Sequence, residues 1–277
     1  MPGDTEHRKL IFAAVGLCSS ITPSPQGRRH FRERQAHQRT NELRRDVLRK
    51  VAVARRGAII QKFSWDTADV ANESPTAIDP ADAEQAPRRF LSTLFPPEAL
   101  LWTGIVYESG KAHAGRWRTC REWQVSSQER IGPMTSPAIW RQQTVSRTHE
   151  NVESGPYTVL DFDGFDGVKP RNDAEVEAHL SASLAIVRWM RESLHWNLAA
   201  IVWTGGKSIH AWFKTPPSEV LASLKNVASE LGVDSGLIGR PEHPCRLPGW
   251  SHEKTGEISR LLWLDGPYAN SRSQSGL

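Results

Sequence analysis

In "YTVLDFDGFDG", Tyr157 to Gly167, two aspartates close a strongly apolar run. Side chains alternate across a strand, so Asp161 and Asp163 share one face and Phe162 takes the other. Two carboxylates so close repel, and a strand that only fills a core gains nothing from them. The pair becomes favourable when a divalent cation lies between, because Mg²⁺ takes hard oxygen ligands and offsets the repulsion. Taken alone, the stretch is equally readable as an Asx-rich turn beginning at "DGFDG".

Other residues suited to chemistry follow. "TGGKSIH" sets Ser208 and His210 on one face of a strand, with Ile209 and Ala211 on the other. Lys207, a hydroxyl and an imidazole beside a glycine turn make a cradle for phosphate oxygens. A P-loop is excluded, since G-x-x-x-x-G-K-[ST] needs glycine where Ile201 stands, and a helix should follow where the pattern is that of a strand. A third carboxylate, Asp234, occurs in "LGVDSGLIGRP"; alone, such an aspartate is usually a cap or turn former. Arg246 lies in a turn bounded by Pro and Gly, with His252 and Lys254 close behind, where it could meet phosphates or simply be solvated.

These residues need elements to hold them. "NDAEVEAHLSASLAIVRWMRESLHWNL" opens on Asn172 or Asp173 as a cap and repeats Val176, Leu180, Leu184, Val187 and Leu194 at helical spacing. "AAIVWT" and "SIHAWF", joined by Gly205, Gly206 and Lys207, predict a hairpin. "SEVLASLKNVASELG" predicts a helix capped by Ser218 and stopped at Gly232, and "RLLWLD" a last strand from Arg260. From Tyr157 the order is β-α-β-β-α-β, the ferredoxin-like arrangement shared by RNA-recognition folds and many polymerase palms. Upstream, "RRFLSTLF" predicts a short helix, "ALLWTGIVYES" a strand, and "RWRTCREWQVSS" a turn leading to a further short element. The expected fold class is α+β, an RNA-recognition-like half from about Tyr157 to Leu264 packed on an amino-terminal α/β half from about Arg88.

The first third differs in character. Between Arg28 and Lys62 twelve Lys/Arg face only Glu33, Glu42 and Asp46, so this is a basic helix or a partly disordered arm. A solvated face and a contact with nucleic-acid phosphates both account for it. "DTADVANESPTAIDPADAEQAP" has little regular pattern and an acidic bias, as a linker would. The expected domains are therefore residues 1–85, a basic and partly disordered extension with its linker, and residues 86–277, a catalytic domain. The net charge of +4 and pI near 9.1 hint at an anionic partner. Cys18, Cys120 and Cys245 lie far apart without C-x-x-C pairing, which fits neither a zinc ribbon nor a disulfide framework and suits a reducing cytoplasm. No apolar run approaches the roughly 20 residues that cross a bilayer. "HRKLIFAAVGLCSS" superficially imitates a signal peptide, but its apolar core is at the short end of the usual range and "VGLC" lacks the small residue before the cysteine.

Together "LDFD", "TGGKSIH" and "GVDSGLI", in that order, with "RLPGW" and "KTG" before the last strand, resemble the catalytic signature of the archaeo-eukaryotic primase superfamily, the primase-polymerases. The resemblance covers roughly Phe90 to Leu264. It implies a DNA primase or DNA-directed polymerase that moves nucleotides from NTP or dNTP onto a 3′-hydroxyl on a single-stranded DNA template. Asp161, Asp163 and Asp234 match the family's catalytic, metal-binding carboxylates; Ser208 and His210 match its nucleotide-phosphate contacts, and Lys207 and Arg246 match less securely. Two Mg²⁺ or Mn²⁺ ions are implied as cofactors, with nucleoside triphosphates and template as partners and a separately encoded helicase or other replication protein beside them. The family's zinc-binding stem and any helicase motif are missing from the sequence. Such a reaction agrees with the residues, since two ions about 3.5–4 Å apart activate the attacking hydroxyl and hold the leaving pyrophosphate, and three carboxylates can bridge them.

Two other readings compete. "VLDFDGFD" also resembles the first motif of haloacid-dehalogenase-type phosphohydrolases, D-x-D-x-[TV], and "IVWTG" their second motif; the match fails at Phe165, and no clear G-D-x-x-x-D follows. The other is a catalytically inactive, nucleic-acid-binding replication protein, against which three retained carboxylates argue.

Overall fold

The computed structural model describes residues 25–79, 81–105, 116–142 and 146–268. Cys18 and the stretch "HRKLIFAAVGLCSS" lie outside these residues, as do residues 106–115, into which the first strand was expected to run. Helix α1, Pro25–Lys62, carries the basic segment, and two compact units, Met1–Val47 and Leu48–Leu277, divide within it. In the first unit Leu43 and Val47 are exposed along with the described charged side chains.

The second unit begins inside the same helix, where Ile59 and Ile60 pack on the core. The stretch expected as a linker is ordered here. Asp66 accepts a hydrogen bond from the Asp69 N–H at 2.8 Å and so caps helix α2, Thr67–Glu73, which buries Val70. Trp65 is buried edge-on against Trp263, and the Thr76 N–H donates to the Leu264 carbonyl at 3.1 Å. Two apolar residues in polar surroundings anchor this segment, too few to produce a periodic pattern.

Helix α3, Ala86–Leu94, precedes strands β1 (Leu100–Gly104) and β2 (Trp117–Thr119). Thr119 and Glu122 then form a reciprocal cap for α4, Cys120–Gln124, followed by α5, Gln128–Ile131. Strands β3 (Met134–Thr135), β4 (Ile139–Trp140) and β5 (Val152–Ser154) are short. The central elements are β6 (Tyr157–Phe162), α6 (Asp173–Ser193), β7 (Leu198–Trp203), β8 (Ile209–Lys214), α7 (Ser218–Lys225), β9 (Cys245–Arg246) and β10 (Arg260–Leu264). The architecture is α+β with antiparallel sheets, ordered β2-β1-β3-β9 and β10-β7-β8-β6, plus a β4-β5 ribbon.

The element order expected from Tyr157 onward is present, but the sheet order departs from the ferredoxin-like one, in which the fourth strand pairs with the first. Here β10 pairs with β7, at the edge away from β6. The outer edge of β6 is met instead at its carboxyl end by the chain after α7: Phe162 bridges Val233, the Asp163 N–H donates to the Gly232 carbonyl at 3.1 Å, and the Asp234 N–H to the Asp161 carbonyl at 2.8 Å.

Alternation divides the core. Leu160, Phe162, Ile209, Ala211 and Phe213 face α6 and α7, whereas Tyr157, Val159, Ala200, Val202 and Trp212 face α3 and the first sheet. Helix α6 is capped by Asn172, whose side chain accepts the Glu175 N–H at 2.9 Å. Its buried face includes His179 and Ser183, while Leu194, expected on that face, is exposed past the helix end. Helix α7 also ends sooner than its apolar stripe suggests. Pro217, not Ser218, is its cap residue, and a separate 3₁₀ turn, Ser229–Leu231, precedes left-handed Gly232.

Candidate active site

The register of β6 against β8 sets Asp161 opposite His210. Both project from the sheet face shared with Val159 and Trp212, toward the first sheet. Asp163 lies one residue beyond β6, and the ladder to residues 232–234 brings Asp234 alongside. Three carboxylates separated by up to 73 positions are thus gathered by backbone pairing at one strand end. Asp163 and Asp234 line a cavity of about 310 Å³ together with Lys169 and Ser229. Larger hollows, about 930 and 670 Å³, occur elsewhere, and none of the three aspartates lines them.

The electrostatics of this end are unfavourable without a cation. Burial, followed by the charge of Asp163 and then that of Asp234, raises Asp161 to about 7, while the Ser208 hydroxyl and Lys169 pull the other way. Its Oδ1 is buried and has no hydrogen-bond partner. Asp234 Oδ1 accepts the Gly236 N–H at 2.8 Å. Lys169 forms an ion pair with Asp163, and that contact, with lesser pull from Asp161 and Asp234, raises the lysine above its ordinary value. Lys169 escaped the sequence reading, although its place in "DGFDGVKP", six residues past the pair, was a usable signal.

Among the described residues, no three of His, Cys, Asp and Glu are placed to hold a metal ion as they stand. In chemistry, however, the donors suit one: hard carboxylate oxygens, one of them buried and unpartnered, in a site that already draws in an ammonium group.

The predicted phosphate cradle is only partly realised. Lys207 is exposed and donates to the Pro170 carbonyl. Ser208 precedes β8; its carbonyl accepts from the Thr204 N–H and hydroxyl at 3.1 and 2.9 Å, and its own hydroxyl lies 3.2 Å from that of Thr204. Gly205, at φ 81°, closes this turn, on which the 251–258 loop docks through a 2.6 Å bond from the Thr255 hydroxyl to the Gly205 carbonyl. His252 belongs to that loop and packs over Gly206.

His210 is buried, with Nδ1 accepting the Arg246 backbone N–H at 3.1 Å and Nε2 lying 3.7 Å from Asp161 Oδ1. Burial, then the positive charges of Arg246 and His243, push its imidazole down to about 3. Arg246 lies not in a free turn but in β9, paired with Met134 of the first sheet. Its half-buried guanidinium makes no hydrogen bond among the described residues, and desolvation lowers its pKa against the pull of Glu253. A second half-buried guanidinium, Arg147, stacks 4.3 Å over Trp102 with Nε unpartnered.

The loop between Asp163 and α6 is fixed from outside. Arg56 donates to both carboxylate oxygens of Asp166 at 3.0 and 2.8 Å and to the Glu230 carbonyl at 2.6 Å, and its guanidinium covers the Phe165 ring. His179 Nε2 lies 2.9 Å from the Phe162 carbonyl. Neither residue was singled out in the sequence; His179 falls on the inner face of a helix already recognised as amphipathic.

No family model matches the chain, and no curated protein does. Two solved structures resemble it. One is the polymerase domain of Ligase D from Mycobacterium tuberculosis in complex with DNA, at 12% identity and TM-score 0.39, covering 70% of this chain and 80% of that one. The other is the AEP domain of the primase-polymerase of cyanophage S-2L, at 16% identity and TM-score 0.33, covering 65% of this chain and 89% of that one. No described helix is long and apolar enough to cross a membrane.

Proposed function

We propose that the protein is a nucleotidyltransferase, a DNA primase or DNA-directed polymerase that adds nucleotides from NTP or dNTP to a 3′-hydroxyl on a single-stranded DNA template. The observation that carries this reading is the convergence of Asp161, Asp163 and Asp234 at one strand end, with the buried Asp161 Oδ1 unpartnered. Asp161, Asp163 and Asp234 would hold Mg²⁺ or Mn²⁺, two ions in the full reaction. Bound there, the ions would supply the positive charge that favours an ionised hydroxyl nucleophile and stabilises a leaving pyrophosphate.

The remaining work falls to this chain's own groups. Arg246, half-buried and with its guanidinium unengaged among the described residues, suits the triphosphate, because a planar fork of donors matches phosphate oxygens. Ser208 and Lys207 stand at the glycine turn that leads into β8 and would add hydroxyl and ammonium contacts once Lys207 leaves the Pro170 carbonyl. Lys169 neutralises Asp163 until a cation takes over. The basic sequence of α1 suits the phosphates of a nucleic-acid strand. The phosphohydrolase reading gains nothing: Thr204, its second-motif residue, is buried with its hydroxyl bonded to Ser208.

Primer extension on a single-stranded template decides the matter, with labelled NTP and dNTP and with Mg²⁺ or Mn²⁺. The wild-type chain should extend, and Asp161→Ala, Asp163→Ala and Asp234→Ala should each abolish extension while remaining folded. Extension by Asp161→Ala at the wild-type rate with Mg²⁺ would return the pair to the status of a turn.

A further inference from the structure

We infer that Arg56 is a positioning residue for the carboxylate site, one that clamps together the two chain segments carrying Asp163 and Asp234. The inference rests on the nucleotidyl-transfer reading for its activity consequences but not for its geometry. Between residues 51 and 60 of α1 the half-buried positions are Ala52, Arg56, Ile59 and Ile60, the spacing of a single helical face. A charge on such a face is costly unless its donors are used. Those of Arg56 are: Nη1 donates to Asp166 Oδ1 at 3.0 Å and to the Glu230 carbonyl at 2.6 Å, and Nη2 to Asp166 Oδ2 at 2.8 Å. The guanidinium also lies 5.1 Å from the centre of the Phe165 ring. One side chain therefore holds residues 165–166 and residue 230 at once. With the arginine 19% exposed and three bonds made, this is not the loose surface pair that contributes little.

The two segments need such a clamp. Asp163 opens the first and Asp234 closes the second, and next to the carboxylates the segments are joined by the Asp163 N–H to Gly232 bond. Farther out they are joined by the Asp166 N–H, which donates to the Ser229 carbonyl at 2.7 Å, by the Phe165 ring lying against Gly232, and by Arg56. Asp166 and Gly167 have left-handed backbone, with φ of 55° and 75°, a conformation that an aspartate holds when its surroundings impose it. Repulsion among Asp161, Asp163 and Asp234 works against the turn whenever no cation is bound. Loosening it lets Asp163 and Asp234 drift to separations at which they cannot share an ion. Losing an outer partner of a metal ligand typically lowers metal affinity or activity by about 10–100-fold, and Arg56, which touches neither carboxylate, belongs at the lower end of that range.

Full-chain variants separate positioning from mere stabilisation. Arg56→Ala removes the clamp, Arg56→Lys keeps one prong, and Asp166→Asn keeps the turn's shape, which asparagine tolerates, while removing the ion pair. Thr119→Ala is the control, since it undoes the cap of α4 and loosens the fold at a different place. Urea unfolding establishes that each is folded. Hydrogen exchange of the metal-free proteins, followed by mass spectrometry, reads the clamp, and Mn²⁺ binding without template or nucleotide, read by electron paramagnetic resonance, reads its consequence. Arg56→Ala should speed exchange about 10-fold in peptides covering residues 163–169 and 229–234 while the hairpin of β7 and β8 exchanges as in wild type. It should also weaken Mn²⁺ binding about 10-fold, with Arg56→Lys and Asp166→Asn in between and Thr119→Ala unchanged. Wild-type Mn²⁺ affinity in Arg56→Ala overturns the inference, as do exchange accelerated evenly along the chain, an equal Mn²⁺ loss in Thr119→Ala, and a wild-type chain that binds no Mn²⁺. If Arg56→Ala fails to fold, Asp166→Asn carries the comparison, and wild-type Mn²⁺ affinity there overturns the inference. Should the wild type bind Mn²⁺ yet extend no primer, the nucleotidyl-transfer reading falls alone, and the exchange and Mn²⁺ comparisons still decide the role of Arg56.

Discussion

Replacing Asp161 by asparagine should stabilise the metal-free protein, and by an amount that grows with pH. Its carboxyl is displaced from 3.8 to about 7, first by burial and then by the charge of Asp163. The folded state therefore binds more protons than the unfolded one between these values, and stability falls as pH rises through that window. At 1.36 kcal/mol per unit, the penalty of keeping Asp161 in the fold is about 2 kcal/mol at pH 5 and about 4 kcal/mol at pH 8. Asparagine keeps the shape and sheds that penalty. Urea unfolding of both proteins with EDTA, at half-unit intervals from pH 5 to 8, should give a stability difference widening by roughly 2–3 kcal/mol in favour of the variant. Titrations common to both proteins cancel in that difference. Adding Mg²⁺ should stabilise the wild type alone, since only it keeps the complete carboxylate set. A difference independent of pH would refute the reasoning, because Asp161 would then be ionised alike in both states.

Other outcomes follow from single contacts. Gly232→Ala should cost about 1–2 kcal/mol from its left-handed backbone alone, and more because the new methyl meets the Phe165 ring at 2.7 Å; thermal denaturation measures it, and primer extension should fall as Asp234 shifts. Arg56→Ala, which frees Asp166 and the Glu230 carbonyl, should destabilise by about 1–3 kcal/mol, and Arg56→Lys should restore less than half, since one ammonium cannot make the two-pronged contact. Removing residues 1–47 should leave the second unit folded, weaken binding to single-stranded DNA and reduce the salt dependence of that binding; equal affinities at low and high salt for both proteins would reject a role for the basic segment in DNA contact.

What the sequence disclosed about this site was its local part. Asp161 and Asp163 are separated by one residue on a strand that alternation alone defines, and the hairpin of β7 and β8 announces itself through Gly205. Asp234 was visible as a residue but not as a neighbour, because its place depends on a ladder formed when residues 232–234 meet the free edge of β6. That same pairing gives a physical setting for β10 docking on β7, which element order does not reveal. The acidic stretch after residue 65 was misread for a related reason: Trp65 and Ser74 are fixed by contacts to Trp263 and Leu264, almost two hundred residues away, and no local pattern records those. His210 shows the limit most directly. Its type and strand position were readable as chemistry, yet the partner of each ring nitrogen comes from a different sheet register. One is set by β6 against β8 and the other by β9 reaching across from the first sheet. His210 thus stands where the two sheets meet, beside the buried Asp161 carboxylate. The 232–234 ladder grips both Asp161 and Asp163 through their backbone, and Asp163 alone is also neutralised by Lys169, so the buried Asp161 is the member of the pair left without a counter-charge in contact.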